Sequence, residues 1–255
     1  MNRRHFLGLA GISALVLGAG RSLPRVLSPA EGTADATASA AAGTRWAMLV
    51  DTKKCIELDG CTRCVEACHA AHNVPRISEP RHEVKWMWKA RYDGAFAASS
   101  GDHAPEALRQ ATLPVLCNHC EKPPCTRVCP TGATWKRDDG LVMMDEHRCI
   151  GCRYCMAACP YGSRSFNWMD PRERLARVNR DYPTRTKGVV EKCTFCDERV
   201  DKGQLPVCVE ACPNGGLLFG NLADARSQIR TVLAVRYSVR RKPELGTGPA
   251  VYYLI

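Results

Sequence analysis

The most constraining feature of this chain is its set of sixteen cysteines, which fall into four groups of four along 255 residues. Three of the groups end in a Cys-Pro pair. Groups one to four are Cys55-x5-Cys61-x2-Cys64-x3-Cys68, Cys117-x2-Cys120-x4-Cys125-x3-Cys129, Cys149-x2-Cys152-x2-Cys155-x3-Cys159 and Cys193-x2-Cys196-x11-Cys208-x3-Cys212. Thiols at such short spacings predict metal ligation, so we expect the fold to depend on its metal and the metal-free chain to be largely disordered.

Group three matches the C-x2-C-x2-C-x3-C-P run of bacterial ferredoxins, in which three thiolates hold one [4Fe–4S] cluster and the fourth holds another. The other groups vary this spacing. At four ligands per cluster, the sixteen cysteines predict four [4Fe–4S] clusters with no cysteine left over. The chain is therefore expected to transfer single electrons and to have no catalytic residues of its own.

Zinc and disulfide bonds are the alternatives to clusters. A zinc ribbon usually has two C-x2-C pairs separated by a longer spacer, and it has no use for the third cysteine of C-x2-C-x2-C. Neighbouring cysteines in that run would pair with poor disulfide geometry, and a chain of this length does not need such crosslinks. The cluster interpretation is weakest at group one, whose x5 gap is unusual and whose last cysteine precedes His69 instead of proline.

The formal net charge of +10 would ordinarily indicate an acidic or nucleic-acid partner. Each oxidised cluster with its four thiolates carries a charge of about −2, so four clusters bring the total to about +2. Removal of an N-terminal leader would bring it to about zero. The basic residues therefore offset cluster charge, and nucleic-acid binding is not expected.

The N-terminal residues predict an export signal. Arg3 and Arg4 precede an apolar stretch from Phe6 to Gly20, which is short for a membrane-spanning helix. A Ser/Ala/Thr-rich spacer follows, so residues 1–43 are interpreted as a twin-arginine signal and disordered spacer. Because this route carries folded proteins, clusters could be inserted before export to the oxidising periplasm. Residues 217–255 have no long apolar run, so attachment to the cytoplasmic membrane is expected to be peripheral, through partners.

Short strands and helices are expected around the cysteine groups. Residues 45–51 predict a strand, 131–136 and 140–145 predict a hairpin, and the spacing from Cys155 to Cys159 is helical. These elements predict an α+β fold with two nested bacterial-ferredoxin-like (βαβ-type) cluster-binding halves, loop insertions and a C-terminal extension. The predicted regions are the beginning of the outer half with group one and an insertion (44–112), the inner half with groups two and three (113–169), an insertion and group four that complete the outer half (170–220), and the extension (221–255).

Some residues near the cysteines have two possible roles. Trp86-Met87-Trp88 is either packed against the cluster-binding halves or a docking surface for a partner. Three cations next to cysteines either tune cluster potentials or are solvated: Arg127, Arg153 and Lys192. Three histidines are expected to be structural: His69, His72 and His119. For His69 and His119 the alternative is a ligand to a cluster or to haem. Covalent haem is not supported, because there is no C-x-x-C-H run.

Nearly everything after Arg45 resembles the four-cluster ferredoxin-like electron-transfer subunits of membrane-bound molybdoenzymes and related quinone-linked respiratory complexes. The matching segments are Pro130-Thr-Gly-Ala-Thr-Trp-Lys-Arg-Asp-Asp-Gly140, Cys149-Ile-Gly-Cys-Arg-Tyr-Cys-Met-Ala-Ala-Cys-Pro-Tyr-Gly162, Phe166-Asn-Trp168, Lys192-Cys-Thr-Phe-Cys196, Cys208-Val-Glu-Ala-Cys-Pro213 and Glu244-Leu-Gly-Thr-Gly-Pro-Ala-Val-Tyr-Tyr-Leu254. The resemblance implies that groups one and four exchange their last ligands, as do groups two and three. The implied ligand sets are Cys55, Cys61, Cys64 and Cys212 (set one); Cys68, Cys193, Cys196 and Cys208 (set two); Cys117, Cys120, Cys125 and Cys159 (set three); and Cys129, Cys149, Cys152 and Cys155 (set four).

The leader, the widened group one and Cys68-His-Ala-Ala-His-Asn-Val-Pro75 followed by His82-Glu-Val-Lys-Trp86 resemble one branch of this family. That branch is the periplasmic iron–sulfur subunit, DsrO, of a membrane complex associated with sulfite reduction. It implies a polytopic quinone-reactive membrane subunit and a c-type cytochrome as partners. The alternative is the beta subunit of a molybdopterin tetrathionate, polysulfide or thiosulfate reductase, with a molybdopterin catalytic subunit as partner.

Overall fold

The two ends of the described chain meet in one sheet. The computed structural model describes residues 43–96 and 104–255, so the predicted leader lies outside the described residues except for Gly43. Strand β1 (Trp46–Asp51) lies between β8 (Leu217–Asn221) and β10 (Val251–Leu254). Strand β9 (Ser238–Val239) lies beside β10, so β8 and β9 form the two edges of the sheet. The β1–β8 and β9–β10 pairs are antiparallel, whereas β1 and β10 run parallel, with Met48 opposite Val251.

Strand β1 is buried on both faces because its alternate side chains enter two different cores. Met48 and Val50 face the larger core, which contains several of the cysteines. Ala47 and Leu49 face the opposite side and pack near Ile229, from helix Gln228–Val235. A period of two along a strand sends alternate residues to opposite faces, so an uninterrupted apolar run is what a central strand requires.

The remaining strands form three separate antiparallel pairs. These are β2 (Met87–Arg91) with β3 (Thr112–Leu116), β4 (Thr134–Lys136) with β5 (Val142–Met144), and β6 (Ser165–Phe166) with β7 (Val190–Glu191). The helices are α1 (Thr52–Glu57), α2 (Arg63–Ala71), α3 (Tyr92–Ala95), α4 (Glu106–Gln110), α5 (Pro124–Arg127), α6 (Tyr154–Ala158), α7 (Asp197–Val200), α8 (Val207–Glu210) and α9 (Gln228–Val235), with 3-10 turns at Pro171–Arg174 and Pro243–Leu245. The described chain is an α+β structure, as the sequence predicts.

Several local expectations agree with these elements. The strand predicted at 45–51 is β1, and the predicted hairpin forms as the shorter pair β4–β5. Helix α6 covers most of the predicted helical spacing and ends at Ala158. Cys159 is already extended, because the residue before a proline, here Pro160, is biased away from helical geometry. Residues 221–255, predicted as a C-terminal extension, supply β9 and β10 and are therefore an integral part of the main sheet.

The tryptophan segment packs inside the protein. Trp86 and Met87 are 1% and 0% exposed, and β2 carries Met87 and Trp88 beside β3. The Trp86 indole N–H donates to Glu191 at 2.6 Å, and Arg185 lies 5.1 Å from the ring centroid. Packing, and not partner docking, is therefore the role of Trp86 and Met87.

A buried ion pair joins the insertions to the strand that leads into group four. Arg185 and Glu191 are 4% and 0% exposed, and their charged groups lie 2.6 Å apart. Asn167 also donates to the carboxylate of Glu191, at 2.5 Å. The guanidinium of Arg185 donates further to the backbone carbonyl of Asn73, at 2.9 Å. One polar centre thus connects four segments that are distant in sequence.

Within residues 43–96 and 104–255, no helix is both long and apolar enough to cross a bilayer.

Candidate iron–sulfur sites

Three cavities in the protein are each lined by four cysteines. They are lined by sets one, three and four respectively. In each, three thiols come from one cysteine group and the fourth comes from another. The structure thus brings together the residues that the family resemblance assigns to each of these three sets, while their ligation of iron stays a prediction.

Set two forms the most buried site. All four of its cysteines are buried, and Cys68 interacts electrostatically with Cys193, Cys196 and Cys208. Helices α2 and α8, which carry Cys68 and Cys208, pack against each other. The structure therefore also brings the cysteines of set two together, inside the protein.

The local backbone explains how the thiols point inward. Arg153 has a left-handed conformation (φ 63°) just before α6, and Cys196 has one (φ 56°) just before α7. Backbone N–H groups also face the sulfurs. The N–H of Gly216 lies 3.1 Å from the Sγ of Cys212, and that of Phe195 lies 3.4 Å from the Sγ of Cys193. Such N–H groups are the usual donors to cluster-bound thiolates and raise the cluster potential.

Burial disfavours the thiolate form of several of these cysteines. Burial raises the pKa of Cys55, Cys120 and Cys193 to about 12. Cys129 differs. Burial acts to raise its pKa, but hydrogen bonds from the Thr131 side chain and from neighbouring backbone N–H groups outweigh that effect and leave it lowered. Four thiolates in one buried site need a compensating positive charge, which iron supplies.

The geometry fits a cluster better than a single zinc ion. Four thiolates that bind zinc at about 2.3 Å lie about 3.8 Å from one another. Yet no three of the sixteen cysteine sulfurs, all of which are described, lie within 4.8 Å of one another. The cysteines are also all free of disulfide bonds. Both alternatives to clusters are therefore poorly supported by the arrangement of the thiols.

The three cations next to cysteines have different environments. Lys192 is 1% exposed, and its ammonium donates to the backbone carbonyls of Val142 and Cys193. Arg127 is exposed. Arg153 is also exposed, with its guanidinium 4.8 Å from the ring centroid of Trp168. Of the three, Lys192 alone is buried near the cysteine sites.

Sequence reasoning missed Arg164. This residue is 4% exposed, and its guanidinium lies 3.1 Å from the Sγ of Cys125. The available signal was weak: an arginine four residues after Pro160, directly before the short strand β6. An arginine in a loop is usually solvent-exposed, so nothing in the sequence marks Arg164 as buried.

The histidines use their ring nitrogens in hydrogen bonds within the protein. His119 is 0% exposed. Its Nε2 atom lies 3.1 Å from the carbonyl oxygen of Cys193, and its Nδ1 atom accepts a hydrogen bond from the N–H of Val142. Burial lowers the pKa of His119 well below its usual range, so the ring is neutral. His69 pairs with the carbonyl of Met87 at 2.9 Å. These contacts support a structural role and leave neither ring nitrogen of His119 for iron.

His72 is also held in place, although it lies near set two. One ring nitrogen is 2.8 Å from the carbonyl of Cys68, and the other is 3.1 Å from the carboxylate of Glu198. One potential ligand atom from each of His72, Glu198 and Cys196 lies within 4.8 Å of those of the other two. Because Cys196 belongs to set two, this trio adjoins the predicted cluster and is not a separate metal site.

The fold and the cysteine sites define an iron–sulfur protein of the ferredoxin-like class. A family model described as "4Fe-4S dicluster domain" matches residues 108–174 and 177–222. These ranges contain groups two, three and four.

Comparison with characterised proteins identifies the family. The chain is 43% identical to the "Hdr-like menaquinol oxidoreductase iron-sulfur subunit 1" of Archaeoglobus fulgidus, over 99% of this chain and 97% of that protein. It is 36% identical to the "Menaquinone reductase, iron-sulfur cluster-binding subunit" of Nitratidesulfovibrio vulgaris, over 82% and 88% of the two chains. It is also 36% identical to a tetrathionate reductase subunit of Salmonella typhimurium, over 82% and 72%. The chain belongs to this family of iron–sulfur subunits of oxidoreductase complexes, and it is an electron-transfer subunit and not a catalytic one.

Proposed function

We propose that this protein holds one [4Fe–4S] cluster in each of sets one to four and conducts single electrons between partners of a quinone-linked respiratory complex. The observation that carries the proposal is the convergence of four cysteines at each site, with one ligand exchanged between groups. Bound clusters would supply the redox chemistry, since they take up and release one electron at a time. The protein holds, separates and insulates them, in two nested ferredoxin-like halves.

The electrostatic contacts between sets support a linear order. Cys64 of set one interacts with Cys68 of set two. Cys193 of set two interacts with Cys117 of set three. Cys125 of set three interacts with Cys155 of set four. Each of these pairs joins consecutive sets, which supports an arrangement of the four sites in the order one, two, three, four.

The burial of the sites supports electron exchange at the two ends of this chain. All four cysteines of set two are buried, whereas only Cys64 in set one and only Cys155 in set four are. Exposed apolar side chains lie beside both ends: Leu58 lines the set-one cavity, and Ile150 lines the set-four cavity at 67% exposure. Apolar surface at a redox centre suits docking of a partner protein.

For the complex itself, we propose a periplasm-facing assembly of sulfur metabolism that resembles the DsrO-containing complex. Its partners would be a polytopic quinone-reactive membrane subunit and a c-type cytochrome. The two menaquinone-linked relatives support the quinone link. The tetrathionate reductase relative supports the alternative, a molybdopterin reductase of a sulfur compound.

Co-purification tests the proposed complex. The full chain, tagged after Ile255 so that the tag survives removal of a leader, would be isolated anaerobically from detergent-solubilised membranes and its partners identified by mass spectrometry. A polytopic membrane subunit with a c-type cytochrome and without a molybdopterin protein is the expected result. A molybdopterin subunit would instead establish the reductase alternative, and a chain without redox partners would refute both.

Iron analysis tests the cluster count independently of the partners. Four [4Fe–4S] clusters require about sixteen iron and sixteen acid-labile sulfide per chain. Zinc without sulfide would overturn the electron-transfer proposal.

Export is tested with paired arginine substitutions. The double change R3K/R4K is expected to leave the protein in the cytoplasm, since the twin-arginine signal needs both residues. The matched change R21K/R25K, also in the N-terminal segment, is expected to leave export unchanged. Equal periplasmic yields of both variants would refute the proposed localisation.

A further inference from the structure

One guanidinium group lies at the junction between set three and set four. Arg164 is 4% exposed, and its Nη2 atom lies 3.1 Å from the Sγ of Cys125, a member of set three. The same nitrogen donates to the hydroxyl oxygen of Thr134 at 2.7 Å, while Nη1 lies 3.6 Å from the sulfur of Met144. Thr134 in turn donates to the carbonyl of Met143 at 2.6 Å. The orientation of the guanidinium is therefore fixed by the β4–β5 pair.

The guanidinium of Arg164 also lies close to set four. Arg164 itself lines the set-three cavity. Met144, whose sulfur lies 3.6 Å from its Nη1, lines the set-four cavity together with Cys155. Helices α5 and α6, which carry Cys125 and Cys155, pack against each other. One buried cation thus lies between two predicted clusters.

We propose that Arg164 is a positioning residue that raises the reduction potentials of the clusters in sets three and four together. This inference rests on the cluster assignment proposed above. A reduced cluster carries one more negative charge than an oxidised one, so a nearby fixed positive charge stabilises reduction. A hydrogen bond to a ligand sulfur acts in the same direction, and both effects are strongest where water is excluded. Because the one group reaches both sets, its removal should lower both potentials.

The other cations near these sets do not share this geometry. Lys192 donates to backbone carbonyls. Arg127 lies only two residues from Cys125 in sequence, but it is exposed, so water screens its charge. It is therefore a matched control for the loss of an arginine close to set three.

The test is an EPR-monitored potentiometric titration of the holoprotein, comparing wild type with R164Q and R127Q. The variants C159S and C129S identify which signals belong to sets three and four. In R164Q we expect the reduction equilibrium constants of these two clusters to fall at least about tenfold, or about 59 mV for a one-electron couple, while the other two clusters move far less. R127Q should leave all four close to wild type. R164K keeps the positive charge but replaces the guanidinium with a single ammonium group. For at least one of the two clusters, its reduction potential should lie between those of R164Q and wild type.

The outcomes separate this inference from the proposed function. If the wild type lacks four clusters, the proposed function fails before any variant is measured. If the wild type has them and R164Q shifts neither or only one of the two, or shifts all four alike, the inference is wrong. If R164Q does not assemble clusters, T134V decides. T134V keeps the arginine but removes the hydroxyl that orients it. If the potentials of the clusters in sets three and four match wild type in both T134V and R164K, the inference is wrong.

Discussion

Removal of the cation from the buried Arg185–Glu191 pair should destabilise the protein severely. The change R185M leaves the Glu191 carboxylate, which is 0% exposed, without its opposite charge. Loss of one partner of a buried pair costs about 3–5 kcal/mol. Because Trp86 and Asn167 still donate to the carboxylate, at 2.6 and 2.5 Å, we expect a cost of about 3 kcal/mol, at the lower end of that range. For a chain of this size that is a decrease of roughly 6–12 °C in the apparent melting temperature.

The assay is anaerobic thermal unfolding at one scan rate, followed by visible iron–sulfur absorbance and by far-ultraviolet circular dichroism. A fixed scan rate is needed because cluster loss makes unfolding irreversible. The matched control is R172M in the same insertion, since Arg172 also forms an ion pair, with Asp170, but is exposed. Exposed ion pairs contribute little to stability, so R172M should have the same apparent melting temperature as the wild type. Equal melting temperatures for R185M and R172M would refute the assignment of the buried pair as the link between the insertions.

Three further changes have definite expected outcomes. C159S should weaken or remove the EPR signal of set three and spare that of set four, whereas loss of the set-four signal would contradict the ligand exchange. G151A should reduce iron content by about one cluster, since its added Cβ would come within 2.3 Å of a backbone carbonyl oxygen, whereas G162A, with a similar φ but nothing within 4 Å, should retain full iron. D51N should flatten the acid side of the profile of unfolding free energy against pH. Burial acts to raise the pKa of Asp51, but the hydrogen bond from Arg236 outweighs burial and lowers that pKa. The pair therefore stabilises the wild type above about pH 4, and this contribution is lost as the pH falls.

The features that were most predictable from the sequence are those set by residues close together along the chain. Cysteine spacing indicates which three thiols of a group can share a site, because the loop between them is too short to reach elsewhere. The strand at 45–51 was predictable from its apolar run, although not its neighbours. That β10 lies parallel to β1, with Met48 opposite Val251, depends on two segments about two hundred residues apart. No local pattern specifies such a partner.

The polar interior was the least predictable feature of the fold. Arg164 and Arg185 look like ordinary loop arginines in sequence, and only their tertiary partners distinguish them from exposed residues such as Arg127. Burial of a charge depends on what lies opposite it, here a thiol in one case and Glu191 in the other. Residue type alone favours the surface for arginine, so the sequence gives no reason to single out Arg164 or Arg185.

The buried cations also explain why folding should require clusters. Lys192 and Arg164 are 1% and 4% exposed, so without clusters the interior holds two cationic side chains that lack the negative charge of bound clusters. An uncompensated buried charge costs several kcal/mol, and two approach the whole stability of a domain, about 5–15 kcal/mol. We therefore expect a cluster-free chain to lack native circular dichroism and a cooperative melting transition, and to gain both when clusters are rebuilt anaerobically. A cluster-free chain that melts cooperatively at the holoprotein's temperature would show that these cations are compensated by the protein alone.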